Sequence, residues 1–126
     1  MCLSRKCYRL WRVCYTEVFE KYFDKKNLLN HIEIKLGELV RDLNGDPESI
    51  WRLLSEPIVA RSGNMVFRRH RFYVRGVAYR AIYVVDVSNC TVVFLSATKR
   101  RETRETYSAL FPIRMRENDI VKCIGP

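Results

Sequence analysis

In the run from Arg68 to Arg75, Arg69, Arg71, Tyr73 and Arg75 alternate with Arg68, His70, Phe72 and Val74. In an extended strand that alternation puts the first set on one face and the second on the other. The first face is then a row of guanidiniums with a phenol among them. Arginine stays charged at any physiological pH, and its planar fork matches the oxygens of a phosphate. Arg80, Lys99, Arg100, Arg101 and Arg104 follow in the same stretch, and Tyr107 comes just after it. His70 is the natural general base near neutral pH. By parity, however, it points away from Arg71 and Tyr73, so a structural or rim position beside Phe72 is expected for it.

The charge is concentrated where these residues lie. The whole chain carries +9, from 23 basic and 14 acidic residues. Residues 66–104 hold nine basic groups against Asp86 and Glu102, net +7, whereas residues 1–65 carry +2 and residues 105–126 are neutral. Such a local field attracts phosphate backbones, anionic lipid heads or an acidic protein partner. The plain alternative is a solvated basic surface.

Other chemistry is excluded. With glycines at 37, 45, 63, 76 and 125, no dinucleotide or Walker loop can be written. A nucleophile elbow is also missing. A lone Asp86 in the segment 66–98 does not supply the clustered carboxylates of a two-metal nuclease. No metal and no cofactor is expected, so chemistry on phosphates would rest on cations and hydrogen bonds.

Positioning these groups requires a sheet. Val66–Val74, Val77–Val87 and Cys90–Thr98 are rich in β-branched and aromatic residues, separated by the short gaps Arg75-Gly76 and Ser88-Asn89. They predict a three-stranded antiparallel meander. Upstream, Tyr8–Tyr15 suits a strand, and Thr16 can cap a helix carrying Phe19 and Phe23 on one face. A second helix runs from about Leu28, with Leu29, Ile32, Leu36, Leu39, Val40 and Leu43 at three- and four-residue spacing. Asn44-Gly45 stops it through a residue that tolerates positive φ.

Asp46-Pro47-Glu48 starts a short third helix through Ile50, Leu53 and Leu54, ending near Glu56-Pro57. Residues 58–64 are expected as a loop. After the meander, Glu102–Phe111 reads as a short helix, and Ile113–Arg116 with Ile120–Ile124 as a small terminal hairpin. The fold class is α+β: an N-terminal strand and two or three helices packed on an antiparallel meander, with a short C-terminal helix and tail.

At 126 residues and 48% hydrophobic the chain makes a single domain with a real core. Residues 1–7 read as a basic tail. The longest apolar run, Ala81–Val85, falls far short of the ~20 residues that span a bilayer. Arg5, Lys6, Arg9 and Arg12 interrupt any signal peptide. A cytoplasmic location without membrane attachment is expected. Cys2, Cys7, Cys14, Cys90 and Cys123 form no C-x-x-C pair, and with His31 and His70 alone a zinc site is hard to assemble. All five are expected as thiols. The absence of glutamine and the 16 arginines against seven lysines hint at a thermophile, where intracellular disulfides are permitted. Trp11 and Trp51 are assigned to packing.

Tyr79-Arg80-Ala81-Ile82-Tyr83-Val84-Val85-Asp86, then Thr91–Ala97, Lys99-Arg100-Arg101 and Tyr107, resemble the RelE/ParE toxin superfamily over residues 8–110, with 111–126 as an extension. The resemblance implies a toxin held silent by an acidic antitoxin-like protein. In the RelE branch it implies ribosome-dependent cleavage of messenger RNA without a metal, by attack of a 2′-hydroxyl on the adjacent phosphate. Matched residue by residue, it implies that Arg80 contacts the scissile phosphate and that Arg100, or equally Arg101, stabilises it. It further implies that Tyr107 stacks on a base or shares in proton transfer. Arg71 and Tyr73 fall where RelE carries two lysines, so the general base is unassigned; Tyr73 is a candidate among surrounding cations. Arg69, Arg71, Arg75, Lys99, Arg101 and Arg104 are the expected RNA-phosphate contacts. Two other readings stay open: a ParE-like topoisomerase-binding toxin, and a non-enzymatic basic module that binds nucleic acid or regulates another protein. Arg80 could instead pair with Asp86, Arg100 and Arg101 could be solvated turn residues, and Tyr107 could pack on the sheet.

Overall fold

A computed structural model describes residues 6–99 and 119–126. The elements run β1 (Arg12–Thr16), α1 (Glu17–Asp24), α2 (Leu29–Gly45), α3 (Ile50–Leu54), β2 (Ile58–Ser62), β3 (Met65–Val74), β4 (Val77–Asp86), β5 (Thr91–Lys99) and β6 (Ile120–Ile124). Among the described residues one sheet of six strands has the order β2-β3-β4-β5-β1-β6. Strand β1 pairs parallel with β5, and every other pairing is antiparallel. The α+β class and the central meander are therefore as expected. The proposed helix Glu102–Phe111 and the segment Ile113–Arg116 lie outside the described residues.

Local chemistry explains the helices. The Thr16 hydroxyl accepts from the Phe19 amide at 3.4 Å, capping α1, and donates to the Leu95 carbonyl at 2.7 Å, fixing that helix to β5. Ile32, Leu36, Val40 and Leu43 of α2 are buried along one stripe. They meet the sheet over an aromatic cluster in which Phe19–Phe23, Phe72–Phe94 and Phe19–Phe94 lie 5.0, 5.3 and 5.6 Å apart. Each such pair adds ~0.5–1.5 kcal/mol beyond its buried area. Cys14, Ile82, Val84, Val93 and Leu95 are buried in a second cluster on the other face of the sheet. That is why β4 and β5 read as nearly continuous apolar runs.

Several expectations need correction. Residues 58–64 are not a loop: β2 pairs with β3 from Ile58↔Arg68 to Ser62↔Met65, and the meander has four strands. Gly63, at φ 58°, makes its turn. Strand β1 starts at Arg12 rather than Tyr8, because Arg9 adopts φ 66° and bends the chain. The backbone of Trp11 is satisfied by Asn44, whose side chain accepts from the Trp11 amide at 2.9 Å and donates to its carbonyl at 2.8 Å. Asn44-Gly45 does not stop α2 through a positive φ: Gly45 stays helical, and the helix closes at Asp46, whose amide donates to the Asp42 carbonyl. The stretch Ile120–Ile124 is a sheet strand paired antiparallel with β1, not tail; the other half of the expected terminal hairpin lies outside the described residues. Gly125 then passes so close to Trp11 that a Cβ there would lie 3.0 Å from its carbonyl oxygen. Trp11 is buried as expected, but Trp51 is 42% exposed.

The cysteines are corrected too. Cys7 is bonded to Cys90 and Cys14 to Cys123. The first bond ties the N-terminal turn, expected as tail, to the β4–β5 loop. The second joins directly opposed positions on β1 and β6. Sequence spacing missed both, since the partners are 83 and 109 residues apart. No helix among the described residues is long and apolar enough to cross a membrane.

Candidate nucleic-acid interface

The register of the β3–β4 hairpin assembles the site. Arg75 and Gly76 adopt φ 50° and 78°, as a two-residue type I′ turn demands. That turn sets Val74 opposite Val77, and the ladder then places Arg71 directly opposite Arg80, Tyr73 opposite Ala78 and Arg69 opposite Ile82. Arg69, Arg71, Tyr73 and Arg80 consequently share the face away from the helices. A register shift in β5 pairs Tyr83 with Phe94 but Ile82 with Ser96, so Thr98 comes to lie beside Arg80. Arg71 donates to the Tyr73 hydroxyl at 3.2 Å. Asp86 lies six residues along the strand from Arg80, about 20 Å away at strand rise. Its carboxylate accepts from Asn89 in the β4–β5 loop at 2.7 Å, so the alternative Arg80–Asp86 pair is not formed.

The sheet edge brings in a second set. Beyond the Ile58↔Arg68 pair β2 leaves β3, the last link being the Arg69 amide to the Pro57 carbonyl at 3.1 Å. From His70 onward β3 is an open edge. A cavity of about 320 Å³ wraps this edge, lined by Glu56, Pro57, Arg69, His70, Arg71, Tyr73 and Arg80. His70 and Tyr73 also border a second hollow, of about 240 Å³, between the edge and helices α2 and α3.

His70 lies on the helix face, as alternation implies, with its ring edge-on to Phe72 at 4.7 Å and near Tyr83 and Phe94. Its Nδ1 is 2.7 Å from Glu56 Oε1, and both side chains are about one-fifth exposed. The Tyr83 hydroxyl lies 2.9 Å from the same carboxylate oxygen and 2.5 Å from the Leu53 carbonyl, its one proton serving either acceptor. Burial, reinforced by the Glu56 charge, pushes the Tyr83 phenol well above its ordinary pKa, so it remains a donor. Arg68 grips the Glu56 carbonyl at 2.6 Å. Of the basic segment, Arg68 is thus committed to the fold.

The sequence-derived candidates divide accordingly. Arg69, Arg71, Tyr73 and Arg80 come together at one cavity. Arg75 is the exposed first residue of the hairpin turn, and Lys99 is exposed at the end of β5 opposite Tyr79; neither lines the cavity. Arg100, Arg101, Arg104 and Tyr107 lie outside the described residues. Glu56 was missed, because an acid at the end of a short helix before a proline carries no pattern that points to a histidine 14 residues on.

No family model, no curated protein and no solved structure matches this chain.

Proposed function

We propose that this chain is a RelE-like toxin, a metal-independent endoribonuclease that acts on messenger RNA at the ribosome. The observation that carries the reading is the Arg71↔Arg80 pair. It sets two guanidiniums directly opposite each other across strands, and Arg69 adds a third on the same cavity. A phosphodiester is the anion whose oxygens match guanidinium forks. As attack on phosphorus proceeds, negative charge builds on those oxygens, and preorganised cations stabilise it where it develops. An intracellular chain with such a surface needs masking, for which an acidic antitoxin-like protein is the complementary partner.

The test is translation in vitro with primer extension. Purified protein should cut ribosome-bound message and leave 2′,3′-cyclic phosphate ends, and Arg80→Ala should slow the cut by about 10²-fold, the cost of one preorganised donor. RNA binding without cleavage would leave the non-enzymatic basic module. Neither binding nor cleavage would leave the topoisomerase-binding reading.

A further inference from the structure

We propose that His70, oriented by Glu56, is the general base of this site and takes the proton of an RNA 2′-hydroxyl whose phosphate is held by Arg71 and Arg80. The inference rests on the nuclease reading and supplies the group that reading lacks. Arginine cannot act as a base in a protein. Within the cavity wall, an imidazole bonded to a carboxylate is the group suited to that task.

Glu56 Oε1 accepts from His70 Nδ1–H, so in the neutral ring the lone pair is on Nε2. Glu56 is itself held: Arg68 binds its carbonyl, the Arg69 amide binds the carbonyl of Pro57, and Tyr83 approaches its carboxylate. Phe72 fixes the imidazole plane edge-on. Glu56 and Phe72 thus determine the ring, and Glu56 is itself anchored, as a working base requires.

Parity, which set His70 apart from Arg71 and Tyr73, becomes useful at the edge. Inside a sheet, successive residues open onto different faces. Here β2 has ended, and one cavity reaches round the edge to both. His70 and Tyr73 start from opposite faces of β3 and both line this cavity, so a phosphate seated at the edge lies between the two, as in-line displacement needs. In the step, His70 Nε2 takes the 2′-hydroxyl proton and the O2′–P bond forms as the P–O5′ bond breaks. The Tyr73 hydroxyl, whose oxygen already accepts from Arg71, gives its proton to the departing 5′-oxygen. The products are a 2′,3′-cyclic phosphate and a 5′-hydroxyl, and both side chains re-equilibrate their protons with water.

The charged and titratable neighbours of His70 are Glu56 on the α3–β2 connection, Arg68, Arg69 and Arg71 on β3, and the neutral phenol of Tyr83 with Arg80 on β4. Across the second hollow stand Lys35, Glu38 and Asp42 of α2 and Arg52 of α3. Glu56 is the one in hydrogen-bond contact with the ring.

The experiment is the single-turnover cleavage rate of ribosome-bound message as a function of pH. The parent should show a limb that rises with pH to a plateau as the imidazole loses its proton. His70→Gln should lose that limb and 10²–10⁴-fold in rate while binding uncut RNA normally, and imidazole added to His70→Ala should restore part of the rate. Glu56→Gln should lower the rate without removing the limb, because it disturbs orientation only. A parent rate that is flat with pH, or a parental rate and profile in His70→Gln, overturns the proposal while the nuclease reading stands. If imidazole fails to rescue a folded His70→Ala that still binds RNA, the base assignment falls as well. No cleavage by the parent removes the nuclease reading and the proposal together.

Discussion

If the β3–β4 face holds an RNA backbone, its affinity must depend on salt in a way the structure lets one calculate. Three arginines, Arg69, Arg71 and Arg80, line the cavity. Each phosphate contact to a single strand contributes about 0.7 to the slope of log K against log salt. Replacing Arg71 and Arg80 together should therefore reduce the slope by about 1.4. Over a fourfold rise in salt, the double variant should lose about sevenfold less affinity than the parent. Fluorescence anisotropy with a labelled single-stranded RNA ten nucleotides long measures this directly. Lys25→Ala, just after α1, and Arg41→Ala, on the exposed side of α2, are the controls and should leave the slope unchanged. If the controls change the slope as much as the double variant does, binding is a diffuse effect of net charge. If none of the variants changes it, the RNA surface lies elsewhere and the assignment of this cavity is wrong.

The disulfides make a second prediction: with Cys7–Cys90 in place, Cys123→Ala reopens an effective loop of about 40 residues, and the chain-entropy account then gives a loss of about 4 kcal/mol. Chemical denaturation without reductant measures it, and a loss under 1 kcal/mol, or five reactive thiols in the denatured unreduced parent, would mean the bonds do not form. A third concerns alkaline pH, because the buried phenols of Tyr15 and Tyr83 are both pushed above their ordinary pKa by burial and by Glu33 and Glu56 respectively. The unfolded chain loses these protons above about pH 10 while the native chain keeps them, so their contribution is full below that pH and declines above it, by about 2.7 kcal/mol per pH unit for the pair. Tyr83→Phe should halve that slope in denaturation curves taken at several pH values, and an unchanged slope would contradict the assignment.

How much of this was readable in the sequence depended on the range of the interaction. The β3–β4 hairpin is local: Arg75-Gly76 between two alternating runs determines its turn, its register and hence which arginines share a face. Thr16 and the α2 stripe are local as well. Strand β2 was hidden because Arg61 and Ser62 dilute its apolar start, and because Pro57 and Gly63, which bound it, read as loop. Strand β6 and both disulfides depend on contacts across most of the chain, and no periodicity encodes them. Within the site, alternation placed His70 on the helix face beside Phe72, where the structure has it. Alternation carries no sign that β3 has lost its β2 neighbour by His70, so the cavity that reaches both faces at that edge was not legible.

That open edge also gives Arg71 an explanation that needs no ligand. Edge strands expose unpaired backbone, and charged side chains there block pairing with a second chain. Arg71 and Tyr73, both exposed on the edge, would serve that purpose in a protein that bound nothing. Arg80 would not. It lies on β4, between β3 and β5, where no edge needs protecting, and it is half-buried directly opposite another arginine. The two explanations therefore separate at one position. Arg80→Thr should weaken the hold on RNA, measured by anisotropy with the labelled single strand, whereas a purely structural arginine would leave RNA affinity unchanged and alter only the stability.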